Sequence, residues 1–283
     1  MQRDKKNKEI LINTLYVSDL DGTLLDKDSN ISEYSKAKIT ELMSKGMKFT
    51  IATARSWSSA SKLVKDLNLT LPVATYNGAF IIDPISGRIV ESGCLEKDKS
   101  EYALKVFLQA KIYPLVYAFI NGKEKVSWVN GYENEGIKDY VKSRGNDRRL
   151  RPVNTPEDLF VGDIFYLTAI GTKKELESLI PLFEGNDYFS FTFQRELYKD
   201  EYWLEIKKFD ATKAVGVEKL KKITGCTRVV CFGDSTNDIP MFSISDEAYA
   251  VTNATPKLIE AATQVIGSAD DDGVARWLSE NYI

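Results

Sequence analysis

Apolar positions in the N-terminal part of the chain fall into short runs and longer stretches with helical spacing. An apolar run at residues 15–18 is followed by a stretch, residues 32–46, whose apolar residues recur on one helical face. A second run at residues 47–52 is followed by a similar stretch at residues 57–67, and a third short run covers residues 72–75. Strands and helices that alternate at this spacing predict parallel β–α–β units.

The middle of the chain has a different pattern, which is typical of an α+β domain with a sheet of its own. Strands are predicted at residues 113–120, 125–129, 163–170 and 188–193, and helical segments near residues 97–110, 133–141 and 173–183. The first pattern then resumes after residues 203–206, with a helix at residues 211–223 and an apolar strand at residues 228–232. We therefore predict an α/β core, a doubly wound parallel sheet of the Rossmann-like kind (1–94 and 191–283), with an inserted α+β domain (95–190).

The composition excludes several kinds of catalytic and binding site. The chain has 283 residues with 38 basic and 41 acidic side chains, so a basic surface for nucleic acid or an anionic membrane is missing. It has no histidine, which excludes Ser-His-Asp and Cys-His catalysis and histidine-bound zinc. Three cysteines without a CxxC pair, and the lack of an export signal or membrane-spanning run, predict a cytoplasmic protein.

Polar residues follow three of the predicted strands at the points where the strands end. Asp19 and Asp21 follow the first strand, Thr53 follows the second, and Asp234 and Asp238 follow the late apolar strand. Parallel sheets bind ligands at the carboxyl ends of their strands, and side chains two positions apart in an extended segment share a face. Carboxylates brought together there would repel each other unless a cation lay among them. A set of oxygen ligands alone favours Mg²⁺.

Each of these segments also has a purely structural interpretation when it is taken alone. The residues around Asp19 and around Asp234 are common in solvated turns and helix caps, and Lys213 is typical of a surface helix. The order of the segments favours a functional site. An acidic pair, a hydroxyl, a lysine at a helix start and a second acidic pair follow one another, and coincidence would have to explain all four placements.

The same segments resemble the four signature motifs of the haloacid dehalogenase superfamily of phosphohydrolases. The motifs read DLDGTLL at residues 19–25, TAR at 53–55 with NGA at 77–79, a lysine at 213, and GDSTND at 233–238. The insert between the second and third motifs is similar to the C2B cap of the Cof-type sugar phosphatase branch. The resemblance covers nearly the whole chain.

The resemblance implies a Mg²⁺-dependent phosphatase that works through an aspartyl-phosphate. It implies Asp19 as the nucleophile and Asp21 as the general acid and base, with Thr53 and Lys213 completing the catalytic set. The implied metal ligands are the Asp19 carboxylate, the Asp21 main-chain carbonyl and Asp234, with Asp238 in support. The implied phosphate-binding residues are Thr53, Arg55, Lys213 and Asn237. Departures from the usual motifs, such as Ala54 where a glycine often stands, leave these functional groups in place.

We therefore expect a phosphoric monoester hydrolase for small phosphorylated metabolites, in the first place sugar phosphates. A phosphomutase of the phosphomannomutase type, which returns the phosphoryl group to a sugar, stays open. A non-catalytic phospho-acceptor module is a further alternative, against which Asp21 and the large insert argue. The expected partner is a small phosphorylated molecule, without nucleic acid or membrane, and the expected state is a monomer or weak homo-oligomer. The insert is expected to select the substrate.

Overall fold

The computed structural model describes residues 13–195 and 201–282. The ends of the predicted core, residues 1–12 and 283, lie outside these ranges. The chain divides into two units. The first holds the described residues up to Ser92 and from Ala211 onward, and the second is Gly93–Asp210.

Both units contain strands and α-helices. The strands are β1 (Thr14–Ser18), β2 (Lys48–Ile51), β3 (Val73–Thr75), β4 (Phe80–Ile82), β5 (Ile89–Ser92), β6 (Leu115–Ile120), β7 (Lys123–Val129), β8 (Leu150–Val153), β9 (Asp163–Gly171), β10 (Phe189–Arg195), β11 (Tyr202–Lys208), β12 (Arg228–Gly233), β13 (Glu247–Val251) and β14 (Gln264–Ile266). The α-helices are α1 (Glu33–Ser44), α2 (Trp57–Val64), α3 (Lys97–Gln109), α4 (Glu135–Arg144), α5 (Lys173–Glu177), α6 (Lys213–Thr224), α7 (Ile239–Ile244), α8 (Pro256–Ala261) and α9 (Gly273–Asn281).

The first unit is built on a parallel sheet with the strand order β14–β13–β12–β1–β2. β1 lies between β12 and β2, and all five of its residues are buried. Strands that are buried on both faces are typical of parallel sheets, because helices cover the two sides. The carboxyl ends of β1, β2 and β12 therefore meet at one edge, where the residues that follow each strand come close together. The predicted fold class, a doubly wound parallel sheet with an inserted α+β domain, is confirmed.

A smaller antiparallel sheet of β3, β4 and β5 also belongs to the first unit. β3 continues the parallel repeat as expected, but only through a single parallel bridge between Ala52 and Ala74. The chain reverses after β3, where Tyr76, Asn77 and Gly78 have φ values of 51°, 54° and 86°. Three consecutive left-handed residues reverse the chain, so β4 pairs antiparallel with β3.

The second unit has a sheet of its own with the strand order β10–β11–β9–β6–β7–β8. Neighbouring strands are antiparallel except for β7 and β8, which are parallel. Its apolar core joins side chains of this sheet to those of α3 and α5, among them Phe107, Leu167, Leu176 and Leu204. The unit therefore has the hydrophobic core that an independent domain needs.

The boundary of the insert differs from the expected one. Residues 191–210 were placed in the core, whereas the second unit extends to Asp210. The reason is strand pairing, because β11 is hydrogen-bonded to β9 and β10 and so belongs to the second sheet. The assignment of the two units as catalytic core and cap stays a prediction.

The helix predicted over residues 173–183 is interrupted. α5 ends at Glu177, and a separate 3₁₀ turn covers Ile180–Leu182. Pro181 lies inside this segment, and its missing N–H and its ring prevent a continuous α-helix. Among the described residues, no helix combines the length and apolar character required to cross a membrane.

Candidate active site

Asp19 lies directly after β1 at the carboxyl edge of the parallel sheet. Its backbone N–H donates a hydrogen bond of 3.0 Å to the carbonyl of Phe232 on β12, so the strand ladder continues up to this residue. The hydroxyl of Ser18 donates to the Asp19 carbonyl at 2.7 Å. The residue is only 5% exposed. The sheet therefore holds the Asp19 carboxylate in a fixed and nearly dry position.

Lys213 supplies the positive charge beside Asp19. It is the first residue of α6, directly after the N-cap Thr212. Its side chain is fully buried, and Nζ lies 2.8 Å from Asp19 Oδ1 and 2.6 Å from Asp238 Oδ1. Burial lowers the pKa of Lys213, but the charges of Asp19 and Asp238 outweigh burial and raise the pKa overall. The lysine is therefore a permanent cation between two carboxylates.

Asp238 is a supporting residue whose two carboxylate oxygens both have protein partners. Oδ1 bonds to Lys213, and Oδ2 accepts hydrogen bonds of 3.0 Å from the backbone N–H groups of Asp234 and Ser235. These contacts form a capping box at the short 3₁₀ turn Thr236–Asp238. Asp238 thus fixes the loop that carries Asp234 and joins it to the lysine.

The carboxylates of Asp19, Asp234 and Asp238 form one cluster. One oxygen from each side chain lies within 4.8 Å of the others. Burial raises the pKa of Asp19 to about 7, with Lys213 opposing and Asp238 adding to the shift. Burial, with the Asp238 charge, also raises the pKa of Asp234 to about 6. A cation would relieve this repulsion, so the cluster is suited to holding a metal ion.

The loop after β1 lies against Asp234. Thr23 Oγ1 donates to Asp234 Oδ1 at 3.3 Å. Gly22 has a φ of +68°, and a Cβ at this position would lie 2.5 Å from Asp234 Oδ2. Only glycine satisfies both the left-handed backbone and the close approach. The two acidic motifs are therefore in direct contact across the edge of the sheet.

Asp21 does not join the carboxylate cluster through its side chain. Its Oδ2 accepts a hydrogen bond of 2.7 Å from Arg55 Nε, and its Oδ1 accepts from a terminal guanidinium nitrogen of the same arginine. The side chain of Asp21 is 49% exposed and that of Arg55 is 29% exposed. The predicted phosphate ligand Arg55 is thus paired with the predicted general acid.

Thr53 and Asn237 are connected through the loop after β3. Thr53 is completely buried, and its Oγ1 accepts a hydrogen bond from the Arg55 N–H at 3.1 Å. Its carbonyl accepts from the Asn77 N–H at 2.9 Å. The side chain of Asn77 in turn accepts from Asn237 Nδ2 at 3.1 Å. The second and fourth motifs are therefore linked by Asn77.

The structure thus sorts the predicted residues into three groups. Asp19, Lys213, Asp234 and Asp238 form the charged cluster, Asp21 pairs with Arg55, and Thr53 connects to Asn237 through Asn77. These contacts place the side chains. The catalytic, phosphate-binding and metal-binding roles themselves stay predictions.

Sequence reasoning missed the part played by Asn253. Its Nδ2 donates to the Gly22 carbonyl at 2.7 Å, and its Oδ1 accepts from the Ala269 N–H at 3.0 Å. The side chain thereby connects the first motif to two C-terminal loops. The available signal was the position of Asn253, a polar residue two positions after β13 at the carboxyl edge of the parallel sheet.

Comparisons show which known proteins this chain is similar to. The family model of haloacid dehalogenase-like hydrolases matches residues 16–278. A Bacillus subtilis protein, 5-amino-6-(5-phospho-D-ribitylamino)uracil phosphatase YitU, is 27% identical over 279 residues, which cover 95% of this chain and 97% of that protein. The crystal structure of TM0651 from Thermotoga maritima has a TM-score of 0.77 and 25% identity, with 94% of this chain and 96% of that one covered.

A third comparison concerns the fold alone. The structure of BT4131, a sugar phosphatase of subclass IIB of the haloacid dehalogenase superfamily, has a TM-score of 0.73 at 19% identity, and 95% of this chain and 100% of that chain are covered. The chain belongs to the family of haloacid dehalogenase-like hydrolases. It is an enzyme of the phosphatase class, as the motifs predict.

Proposed function

We propose that this enzyme is a Mg²⁺-dependent phosphatase of small phosphorylated metabolites, with sugar phosphates as the first candidate class, and that it works through an aspartyl-phosphate on Asp19. The observation that carries this proposal is the buried Asp19 carboxylate, held between Lys213 and the acidic loop of Asp234 and Asp238. A nucleophile in this setting has a cation beside it for the phosphate charge and a hard-metal donor set next to it.

The donor set fits Mg²⁺. Asp19 and Asp234 offer carboxylate oxygens, and neither histidine nor cysteine belongs to the cluster. Burial, together with the charge of Asp238, raises the pKa of both acids, and a divalent cation would stabilise their ionised forms. Asp19 and Asp234 would hold the ion, with Asp238 fixing the loop beneath it. When bound, Mg²⁺ would neutralise charge on the transferring phosphoryl group.

The protein's own groups account for the remaining steps. An oxygen of Asp19 attacks phosphorus, forming the Asp19–phosphorus bond while the bond to the ester oxygen breaks. Asp21 gives a proton to the departing alcohol and then takes one from the water that attacks phosphorus, and this attack breaks the Asp19–phosphorus bond and restores the Asp19 carboxylate. Lys213 and the Thr53 hydroxyl stabilise the equatorial oxygens. Inorganic phosphate and the alcohol are the products.

The choice of substrate class draws on the relatives. BT4131 is a sugar phosphatase, and YitU acts on a phosphorylated ribitylamino-uracil. Both substrates are monophosphate esters of polyhydroxylated carbon chains. We therefore include sugar phosphates and the ribitylamino-uracil phosphate among the candidates for this chain.

A substrate panel tests the proposal. Purified protein is incubated with sugar phosphates, the ribitylamino-uracil phosphate, nucleotides and pyridoxal phosphate, with Mg²⁺ and with excess chelator, and released phosphate is measured. We expect Mg²⁺-dependent release that is highest for one group of polyhydroxylated esters. A second phosphorylated sugar in place of inorganic phosphate would indicate a phosphomutase, and absence of release from every ester would contradict the proposal.

The effect of Mg²⁺ on stability should depend on pH. The pKa values of Asp19 and Asp234, about 7 and about 6, lie above the ordinary range of a carboxyl group. Between the ordinary pKa of 3.8 and the raised values, the folded protein therefore binds more protons than the unfolded chain. The metal-free protein loses stability as the pH rises through this range. Mg²⁺ requires the ionised carboxylates, so protons compete with it at low pH.

We expect Mg²⁺ to raise the melting temperature more at about pH 8 than at about pH 5.5, because only the ionised cluster binds the ion. Calorimetry of chelator-treated protein, with and without Mg²⁺, measures the difference. The Asp234→Asn variant should lose most of the shift, whereas Asp83→Asn, a change in the turn between β4 and β5, should keep it. Equal shifts at both pH values would argue against this metal site.

A further inference from the structure

The contact between Arg55 and Asp21 is a two-point contact on a partly exposed carboxylate. Arg55 Nε and a terminal nitrogen of the same guanidinium bind the two oxygens of Asp21, one each. A planar guanidinium that meets a carboxylate in this way fixes both the position and the plane of the carboxylate. Without it, a side chain that is 49% exposed would sample several rotamers.

Hydrogen bonds of both its side chain and its backbone fix the position of Arg55. Its second terminal nitrogen donates to Ser59 Oγ at 3.2 Å, and its backbone N–H donates to Thr53 Oγ1 at 3.1 Å. Its carbonyl accepts from the Tyr76 N–H at 3.0 Å. Hydrogen bonding to Asp21 raises the pKa of Arg55, so the guanidinium stays charged. The arginine is thus a fixed point from which Asp21 can be oriented.

Most of the donors of the guanidinium, three of its five N–H groups, already have protein partners. Of its five N–H groups, two are used on Asp21 and one on Ser59. The proposed function assigns the phosphate oxygens to the ammonium of Lys213 and the hydroxyl of Thr53. From this geometry we infer that Arg55 is a positioning residue for Asp21, and not a ligand of the substrate phosphate. The inference rests on the proposed function, because it assigns a role to the general acid of that reaction.

The two roles of Arg55 predict different dependence on the leaving group. A general acid matters most when the departing alcohol is a poor leaving group, and little when it is a stable phenolate. A phosphate ligand acts on the phosphoryl group, which is the same in every ester. Loss of a positioning residue should therefore be selective, and loss of a phosphate ligand should be uniform.

The test uses full-length protein and a series of phosphate monoesters, from 4-nitrophenyl phosphate to an alkyl phosphate. The quantity compared is kcat/KM, which reports the steps up to departure of the alcohol. Arg55→Ala should lower kcat/KM by about 100-fold for the alkyl ester and by less than about 3-fold for 4-nitrophenyl phosphate. Arg55→Lys, which keeps the charge but not the two-point contact, should give an intermediate selectivity.

Two further variants sharpen the result. In an Asp21→Asn background, Arg55→Ala should add no further leaving-group dependence, because the two residues act as one unit. Arg228→Ala is the matched control, since Arg228 pairs with Glu247 at the start of β12 with a similar exposure, and it should leave the leaving-group dependence unchanged. Circular dichroism establishes that each variant is folded, and Arg55→Lys carries the test if Arg55→Ala does not fold.

The outcomes separate this inference from the proposed function. Wild-type turnover combined with a uniform loss across the ester series in Arg55→Ala, or in Arg55→Lys where that variant carries the test, would overturn the positioning role alone. A selective loss that persists unchanged in the Asp21→Asn background would overturn it as well. Wild-type protein that hydrolyses no ester of the series would instead overturn the proposed function, and this inference with it.

Discussion

The Asp19→Asn variant is expected to lose phosphatase activity by about four orders of magnitude or more, because an amide cannot attack phosphorus. The change also replaces one of the two carboxylates proposed to hold Mg²⁺ by a neutral amide, which is a weaker metal ligand. Phosphate release from the best substrate of the panel, measured at saturating Mg²⁺, tests the expectation. Asp83→Asn serves as the control, since Asp83 lies in the turn between β4 and β5 and bonds to Ser86.

The fold of this variant should survive. Ionised Asp19 is unfavourable in the metal-free protein, because its pKa is raised to about 7 by burial. A neutral amide removes that penalty at higher pH, and Lys213 keeps its contact with Asp238. We therefore expect an unchanged or higher melting temperature in chelator at about pH 8. A large decrease would mean that the lost activity reflects a lost fold.

The covalent intermediate gives an independent check on the same residue. Asp21→Asn should slow hydrolysis of the phosphoryl-enzyme, so that a phosphoryl group accumulates on the peptide that contains Asp19. Mass spectrometry of acid-quenched protein would detect it. The double variant with Asp19→Asn should carry no such group. A phosphoryl group on another residue, or wild-type turnover by Asp19→Asn, would remove Asp19 from the mechanism.

The charged cluster could be predicted because it depends on strand order. Asp19 and Asp234 directly follow buried strands, and parallel strands bring their carboxyl ends to one edge of a sheet. Position in the sequence therefore translates into position in space without knowledge of any rotamer. Lys213 does not follow this logic, because a lysine at a helix start is typical of the surface, and only the order of the motifs indicated its place in the site.

The contacts of Arg55 and Asn253 could not be predicted in this way. Arg55 meets Asp21 across 34 positions of sequence through a long side chain, and Asn253 reaches Gly22 across 231 positions. Both contacts join polar groups, so the pattern of apolar positions does not indicate them. Which of several acceptors a polar side chain binds is decided by the packing of the loops, and hydrophobic periodicity does not describe that packing.

The predicted end of the insert, residue 190, differs from the end of the second unit, Asp210, for a related reason. The alternation of apolar and polar residues in β11 identifies a strand and its buried face, but it does not identify the neighbouring strand. β11 pairs with β9 and β10, and this pairing places it in the second sheet. Because β11 lies close in sequence to the C-terminal part of the first unit, the sequence pattern assigned it to the core.

Lys213→Met is expected to have the second large effect, on stability as well as on activity. The side chain of Lys213 is 0% exposed, and its ammonium is shared by Asp19 and Asp238. Methionine has a similar length but no charge, so two buried carboxylates would face each other without a cation. Removing one partner of a buried ion pair commonly costs about 3–5 kcal/mol.

Chemical denaturation in the presence of chelator measures this loss in the free energy of unfolding. Lys36→Met is the matched control, because Lys36 also contacts two carboxylates, Glu33 and Asp66, but at the protein surface. Solvent screens such pairs, so the control should change stability little. Activity should decrease strongly in Lys213→Met and stay near wild type in Lys36→Met.

A double variant identifies the cause of the instability. Adding Asp19→Asn to Lys213→Met removes one of the two unpaired charges, so the double variant should be more stable than Lys213→Met alone. Mg²⁺ should also recover part of the stability of the single variant, because an ion held by Asp19 and Asp234 would supply a positive charge beside Asp19 in place of the missing ammonium. Two results would contradict a role of Lys213 in neutralising the buried carboxylates. One is a free energy of unfolding of Lys213→Met in chelator equal to that of the wild type, and the other is no increase in that free energy when Asp19→Asn is added. The phosphate would then have to be neutralised by another group.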